Sequence, residues 1–130
     1  MTIATRKQAQ EQRNKRRYVQ APIPFIEGEC RFRSMFAGEQ FAIPEQAAKM
    51  KADVRIIAIA NTWCDEEGRL LYTWESKEDI DELTEYDGKT VDTMYDVINQ
   101  HCANLTPVEK LIKAAEKNSD ADRGEPLRIA

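Results

Sequence analysis

Apolar and polar positions alternate along this chain with more than one period, and the clearest period is helical. Val91, Met94, Tyr95, Ile98, Cys102 and Leu105 recur at i, i+3, i+4, i+7, i+11 and i+14, while Asp92, Asp96 and Asn99 fall away from that stripe. The spacing predicts an amphipathic helix over residues 90–105. Residues 54–63 (VRIIAIANTW) are instead apolar without interruption through Ile56, Ile57, Ala58, Ile59 and Ala60. They predict a strand buried on both faces or lying under helices. An acidic turn follows, Asp65-Glu66-Glu67-Gly68, with Gly68 at the positive-φ position a short hairpin loop wants. Residues 69–74 (RLLYTW) place Leu70, Tyr72 and Trp74 on one face and predict the return strand. Residues 29–36 (ECRFRSMF) alternate with period two, Cys30, Phe32 and Phe36 on one side, Arg31 and Arg33 on the other. Ser34 interrupts the apolar side of that half-buried strand and Met35 the polar one.

Start signals set further helices among these elements. Ser76-Lys77-Glu78-Asp79 reads as a helix cap with an acidic first turn, with Ile80 and Leu83 facing inward and Asp87-Gly88 ending the helix. Pro44 suits the first position of a helix over 45–52, with Ala47, Ala48 and Met50 inward. A start near Ala37 with a kink at Pro44 is the competing arrangement. Thr106-Pro107-Val108-Glu109 opens another helix, with Val108, Leu111, Ile112 and Ala115 as its stripe. Together these predict an α+β fold: a small β-hairpin or short antiparallel sheet packed with three to four helices, the C-terminal half mostly helical.

Composition changes the picture at the ends. Residues 1–20 carry six basic side chains, Arg6, Lys7, Arg13, Lys15, Arg16 and Arg17, against Glu11 alone. They hold almost no large apolar residues. The remainder carries thirteen basic and twenty-two acidic residues. Residues 1–24 therefore read as a basic, disordered arm closed by an extended linker, Ala21-Pro22-Ile23-Pro24. Residues 25–117 form a single domain, and 118–130 a flexible tail. A basic arm on an acidic body suits nucleic acid, or the acidic face of another copy. Cys30, Cys64 and Cys102 are odd in number and lack a CxxC pair, which points to a reducing compartment. No apolar run approaches the ~18 residues of a membrane span, and no signal-peptide core opens the chain.

Catalytic and metal motifs do not assemble. Gly88-Lys89-Thr90 ends like a phosphate-binding loop, but Leu83 stands where that loop needs glycine. The spacing at Asp65–Gly68 does not fit a calcium loop. His101, the single histidine, adjoins Cys102, and neighbours on a helix face different ways, which suits neither zinc nor a Cys–His pair. From Asp65 to Asp96 twelve acids face Arg69, Lys77 and Lys89, a solvated acidic face or a dock for a basic segment. No cofactor and no enzymatic activity are expected.

The order of elements carries a resemblance. Ile56–Ala60, Asp65–Gly68, Leu70–Trp74, Glu78-Asp79-Ile80 with Leu83, and Met94–Leu105 follow one another as an apolar strand, a D-x-x-G turn, a short strand ending in an aromatic residue, an E-D-I-x-x-L helix and a helix leading to N-x-L. In this the chain resembles the tail assembly chaperones of long-tailed, lambda-like bacteriophages, over roughly residues 25–117. The basic arm of residues 1–20 departs from that pattern.

The resemblance implies a non-enzymatic factor that coats the tape-measure protein before tail-tube subunits polymerise round it. It implies host cytoplasm as the location, absence from the finished virion, and self-association. It further implies a frameshift-extended form that recruits the tail-tube protein. Codons GAA-AAA-AAC at Glu116-Lys117-Asn118 would supply the slippery heptamer A-AAA-AAC for a −1 shift. Trp63, Trp74 and Tyr86 are the candidate apolar contacts with a partner, and Arg13, Lys15, Arg16 and Arg17 the candidate basic ones. The alternatives are a nucleic-acid-binding accessory protein that uses the arm, disfavoured by the acidic body, and a virion structural component.

Overall fold

A computed structural model describes residues 2–105. The second amphipathic run (106–115), the codon site at Glu116–Asn118 and the tail lie outside the described residues. Within them the chain is a small α+β fold, a three-stranded antiparallel sheet with five helices. In chain order the elements are α1 (Arg6–Gln12), β1 (Tyr18–Pro22), β2 (Glu29–Arg33), α2 (Ala37–Met50), α3 (Val54–Ala60), β3 (Trp63–Cys64), α4 (Lys77–Thr84) and α5 (Gly88–His101).

The expected central strand is a helix. In α3, Ile56 to Ala60 are all buried, with α2, α4 and α5 packed around them. Burial on every side is legible in the sequence, but the conformation is not, because an unbroken apolar run has no period. A helix bonds its own backbone, so it can sit among helices without strand neighbours. Asp53 starts it, its carboxylate accepting from the Arg55 amide at 2.8 Å. Asn61 ends it, its side-chain amide donating to the Ile57 carbonyl at 2.8 Å.

The strand signal survives only at the end of that run. Phe32 pairs with Trp63 and Arg31 with Cys64. The expected return strand, 69–74, shrinks to one bridge between Cys64 and Leu70. The turn between them forms as expected. The Asp65 carboxylate accepts from the Glu67 and Arg69 amides at 2.8 and 2.9 Å, and Gly68 sits at φ 85°. Arg31 and Arg33 reach across from β2 to the carbonyls of Glu66 (2.6 Å) and Gly68 (3.2 Å).

The third strand comes from the stretch expected to be arm and linker. Tyr18 to Pro22 pair with Arg33 to Glu29. Pro22 is tolerated because β1 is an edge strand. β2 matches its expected alternation, with Cys30 and Phe32 buried, and Ser34 is buried too. The Ser34 hydroxyl accepts from the Arg17 amide at 2.8 Å, which satisfies it.

α2 starts at Ala37 with Pro44 inside it, which is the earlier start of the competing arrangement. Ile43 and Ala47 face the core, whereas Ala48 is exposed. Ser76 caps α4, and Ile80 and Leu83 are buried. Asp87 does not end α4. It caps α5, its carboxylate accepting from the Lys89 amide at 2.8 Å. Every residue of the expected α5 stripe, Val91 through Leu105, is buried.

Candidate docking site

β3 places Trp63 at the edge of the core with its ring 9% exposed. Two tyrosines pack on it. Tyr72 lies 5.5 Å away between ring centroids, and Tyr86 meets it edge-on at 5.9 Å. The two phenol oxygens are 2.7 Å apart, and the Tyr72 hydroxyl also bonds the Glu82 carboxylate. A carboxylate only accepts, so Tyr72 donates to Glu82 and accepts from Tyr86. Burial, and then the bonds to Glu82 and Tyr86, push the Tyr72 phenol well above its ordinary range. The cluster is uncharged at its centre and acidic at its margin.

A groove of about 430 Å³ opens beside it, lined by Phe25, Ile26, Trp63, Tyr86, Asp87 and Thr90. The β1–β2 connection supplies its outer wall. Ile23 is buried, and the Thr90 hydroxyl donates to the Pro24 carbonyl at 2.8 Å. Those two anchors lead directly into Phe25. Phe25 takes a left-handed backbone, φ 68°, and its side chain is 78% exposed. A bulky residue at positive φ is strained, and such strain concentrates at functional sites.

Trp63 and Tyr86, 23 positions apart in sequence, come together in the lining of this groove. Trp74 is half-buried against the core and does not line the groove. Tyr72 and Phe25 are not among the residues the sequence singles out as contacts. The alternation at 69–74 places Tyr72 on a strand face, and the sole signal for Phe25 is an aromatic residue directly after Pro22-Ile23-Pro24.

The four basic candidates divide. Arg13 and Lys15 are exposed. Arg16 forms a two-pronged pair with Glu39, both bonds 2.7 Å, and donates to the Ser34 carbonyl at 2.8 Å. Its guanidinium also stands 4.1 Å over the Phe36 ring. The Arg17 side chain donates to the His101 carbonyl at 3.1 Å. Arg16 and Arg17 therefore fasten the start of the sheet to α2 and the end of α5. The hydrogen bonds from Arg16 hold the Glu39 carboxyl below its ordinary range.

His101 is exposed, and burial pushes the neighbouring Cys102 thiol up to about 11. A thiol that stays protonated is a poor nucleophile. Among the described residues no group of three or more His, Cys, Asp or Glu is placed to hold a metal ion, and no helix is long and apolar enough to cross a membrane. The groove has aromatic walls and one carboxylate, Asp87, in its lining.

No protein-family profile, curated protein or solved structure matches the chain.

Proposed function

We propose that this protein is a non-enzymatic tail assembly chaperone of a long-tailed bacteriophage, one that covers the tape-measure protein before tube subunits polymerise. The observation that carries the proposal is the groove beside Phe25, where a strained residue turns an aromatic ring toward solvent above Trp63 and Tyr86. Its occupant is an amphipathic helical segment with apolar anchors and basic flanks. Many weak copies along one long filament gain by multivalency. Self-association, work in the host cytoplasm and release before the virion is complete belong to the same proposal. So does an extended form, made by frameshifting at Glu116–Asn118, that meets the tail-tube protein.

Binding of the full chain to a purified tape-measure segment, compared with Phe25→Gly, tests the groove. Weakened binding by a variant that folds normally is expected, and equal binding would remove the groove from the account. An N-terminally tagged gene, blotted for a minor longer product that silent recoding abolishes, tests the extended form.

One observation favours a second function. α1 has no buried residue, and Arg6, Lys7, Arg13 and Lys15 are all exposed. Binding of single- or double-stranded nucleic acid that falls steeply with salt would support an accessory role for that arm. Absent or salt-insensitive binding would exclude it.

A further inference from the structure

The sheet has an open edge. β1 is its outermost strand and pairs with β2 alone. The Ser34 amide donates to the Arg17 carbonyl on the β1 side at 2.8 Å, and the Arg33 amide to the Thr62 carbonyl on the β3 side at 2.9 Å. Backbone groups alternate sides along a strand, so Cys30 and Phe32 also turn to β1. Their register partners, Ala21 and Val19, turn inward to meet them. Tyr18, Gln20 and Pro22 therefore turn their backbone groups outward, where no bond meets them among the described residues. The side chains of these three are exposed, while Val19 and Ala21 are half-buried. The opposite margin of the sheet is covered. There the Leu71 amide donates to the Trp63 carbonyl at 3.0 Å, and the Asp65 amide to the Arg69 carbonyl at 2.8 Å.

The outward groups of β1 complement themselves in the antiparallel sense. With Gln20 opposite Gln20 of a second copy, the two residues exchange both backbone bonds. Tyr18 of one copy then falls opposite Pro22 of the other, and the Tyr18 N–H meets the Pro22 carbonyl. Pro22 has no N–H to return, so the Tyr18 carbonyl stays with solvent. Val19 falls beside Ala21, which carries the half-buried face of the sheet across the seam. Charge favours the same direction. Antiparallel pairing lays the approach to β1 of one copy beside the exit from β1 of the other. The approach carries Arg13 and Lys15, both exposed, and the exit carries Glu27 and Glu29, both exposed. Parallel pairing would set the basic ends against each other.

We propose that two copies of this chain pair antiparallel along β1, about a two-fold axis at Gln20, and join their sheets into one. A short edge ended by proline makes a small contact, so the pairing is weak and reversible. It gives self-association a place on the fold, and it does not rest on the tape-measure reading.

Sedimentation and amide exchange of the full chain, from about micromolar to about millimolar concentration, test the pairing. Association is expected within that range. The Tyr18 and Gln20 amides are expected to exchange freely in dilute protein and to slow as copies associate, while Val19 and Ala21 stay protected throughout. Gln20→Pro removes an N–H that faces away from β2, a position where an edge strand tolerates proline. The variant is expected to remain folded and to associate roughly tenfold more weakly, because the central pair of bonds is lost. A chain that stays monomeric, or one that associates while Tyr18 and Gln20 exchange as in dilute protein, would overturn the proposal. So would full protection of those two amides in dilute protein, which would mean that another part of the same chain occupies the edge. Association of folded Gln20→Pro as tight as the parent's would overturn it too. The exchange comparison uses the parent alone, so it decides the matter even where the variant folds poorly. No tape-measure protein enters these measurements, so their failure leaves the groove beside Phe25 standing, and loss of tape-measure binding leaves the pairing standing.

Discussion

Phe25 holds a left-handed backbone that costs a side-chain-bearing residue of order 1 kcal/mol, while its ring stays 78% exposed. Phe25→Gly relieves the backbone and loses little packing, against glycine's larger entropy loss on folding. Stability within about 1 kcal/mol of the parent is expected by chemical denaturation, together with weakened partner binding. A substitution that lowers both equally would mean that Phe25 serves the fold. Gly68 is the opposite case. At φ 85° a Cβ there would meet the Tyr18 hydroxyl at 2.6 Å. Gly68→Ala is expected to destabilise by about 1–2 kcal/mol, seen as a lowered denaturation midpoint. The Arg16–Glu39 pair gives a pH signature. The folded-state pKa of Glu39 is depressed, chiefly by hydrogen bonds from Arg16. Its contribution is therefore complete above the ordinary value of 4.5 and is lost as pH falls through the lowered value. Melting temperature measured from pH 7 to pH 3 is expected to fall less steeply on the acid side for Glu39→Gln. At neutral pH that variant should start about 1 kcal/mol lower.

Among the elements, legibility follows period. α5 can be read because one face is buried and the other wet, so its sequence alternates at the helical spacing. α3 cannot, because it is wrapped by α2, α4 and α5, and a segment apolar all round loses the contrast that marks a period. β1 is hidden by Pro22 and by a charged approach. An edge strand that needs only one neighbour tolerates both. For the site, Trp63 and Tyr86 are visible in the sequence as large aromatics, and both pack in or against the core. Their meeting, and the place of Phe25 beside them, depend on contacts between residues far apart in sequence. The central position of α3 sets an expectation of its own. Ile57→Ala is expected to destabilise by about 2–5 kcal/mol. Asp53→Ala, which removes a cap from a helix whose packing stays, should cost about 1 kcal/mol by the same denaturation measurement. Near-equal effects would contradict a helix fixed mainly by burial.

At the scale of the whole molecule, α3 is the centre of a helical cluster packed by α2, α4 and α5, and exposed aromatic rings, Phe25 and Phe41, mark two of its surfaces. One is the aromatic groove with its acidic margin, and the other is the outer face of α2. The basic stretch near the N-terminus divides in role. Arg16 and Arg17 fasten the sheet to the helices, while Arg6, Lys7, Arg13 and Lys15 are exposed and available to an acidic partner or the acidic face of another copy. Among the described residues no group of three or more His, Cys, Asp or Glu is placed to hold a metal ion. The claim that the groove beside Phe25 serves a tape-measure protein is tested most directly by co-expressing the two proteins and weighing the tape-measure protein in the soluble fraction. The account expects a soluble complex holding several copies of this chain per tape-measure protein, diminished by Phe25→Gly. A tape-measure protein equally insoluble with and without the chain, and no complex between them, would contradict it.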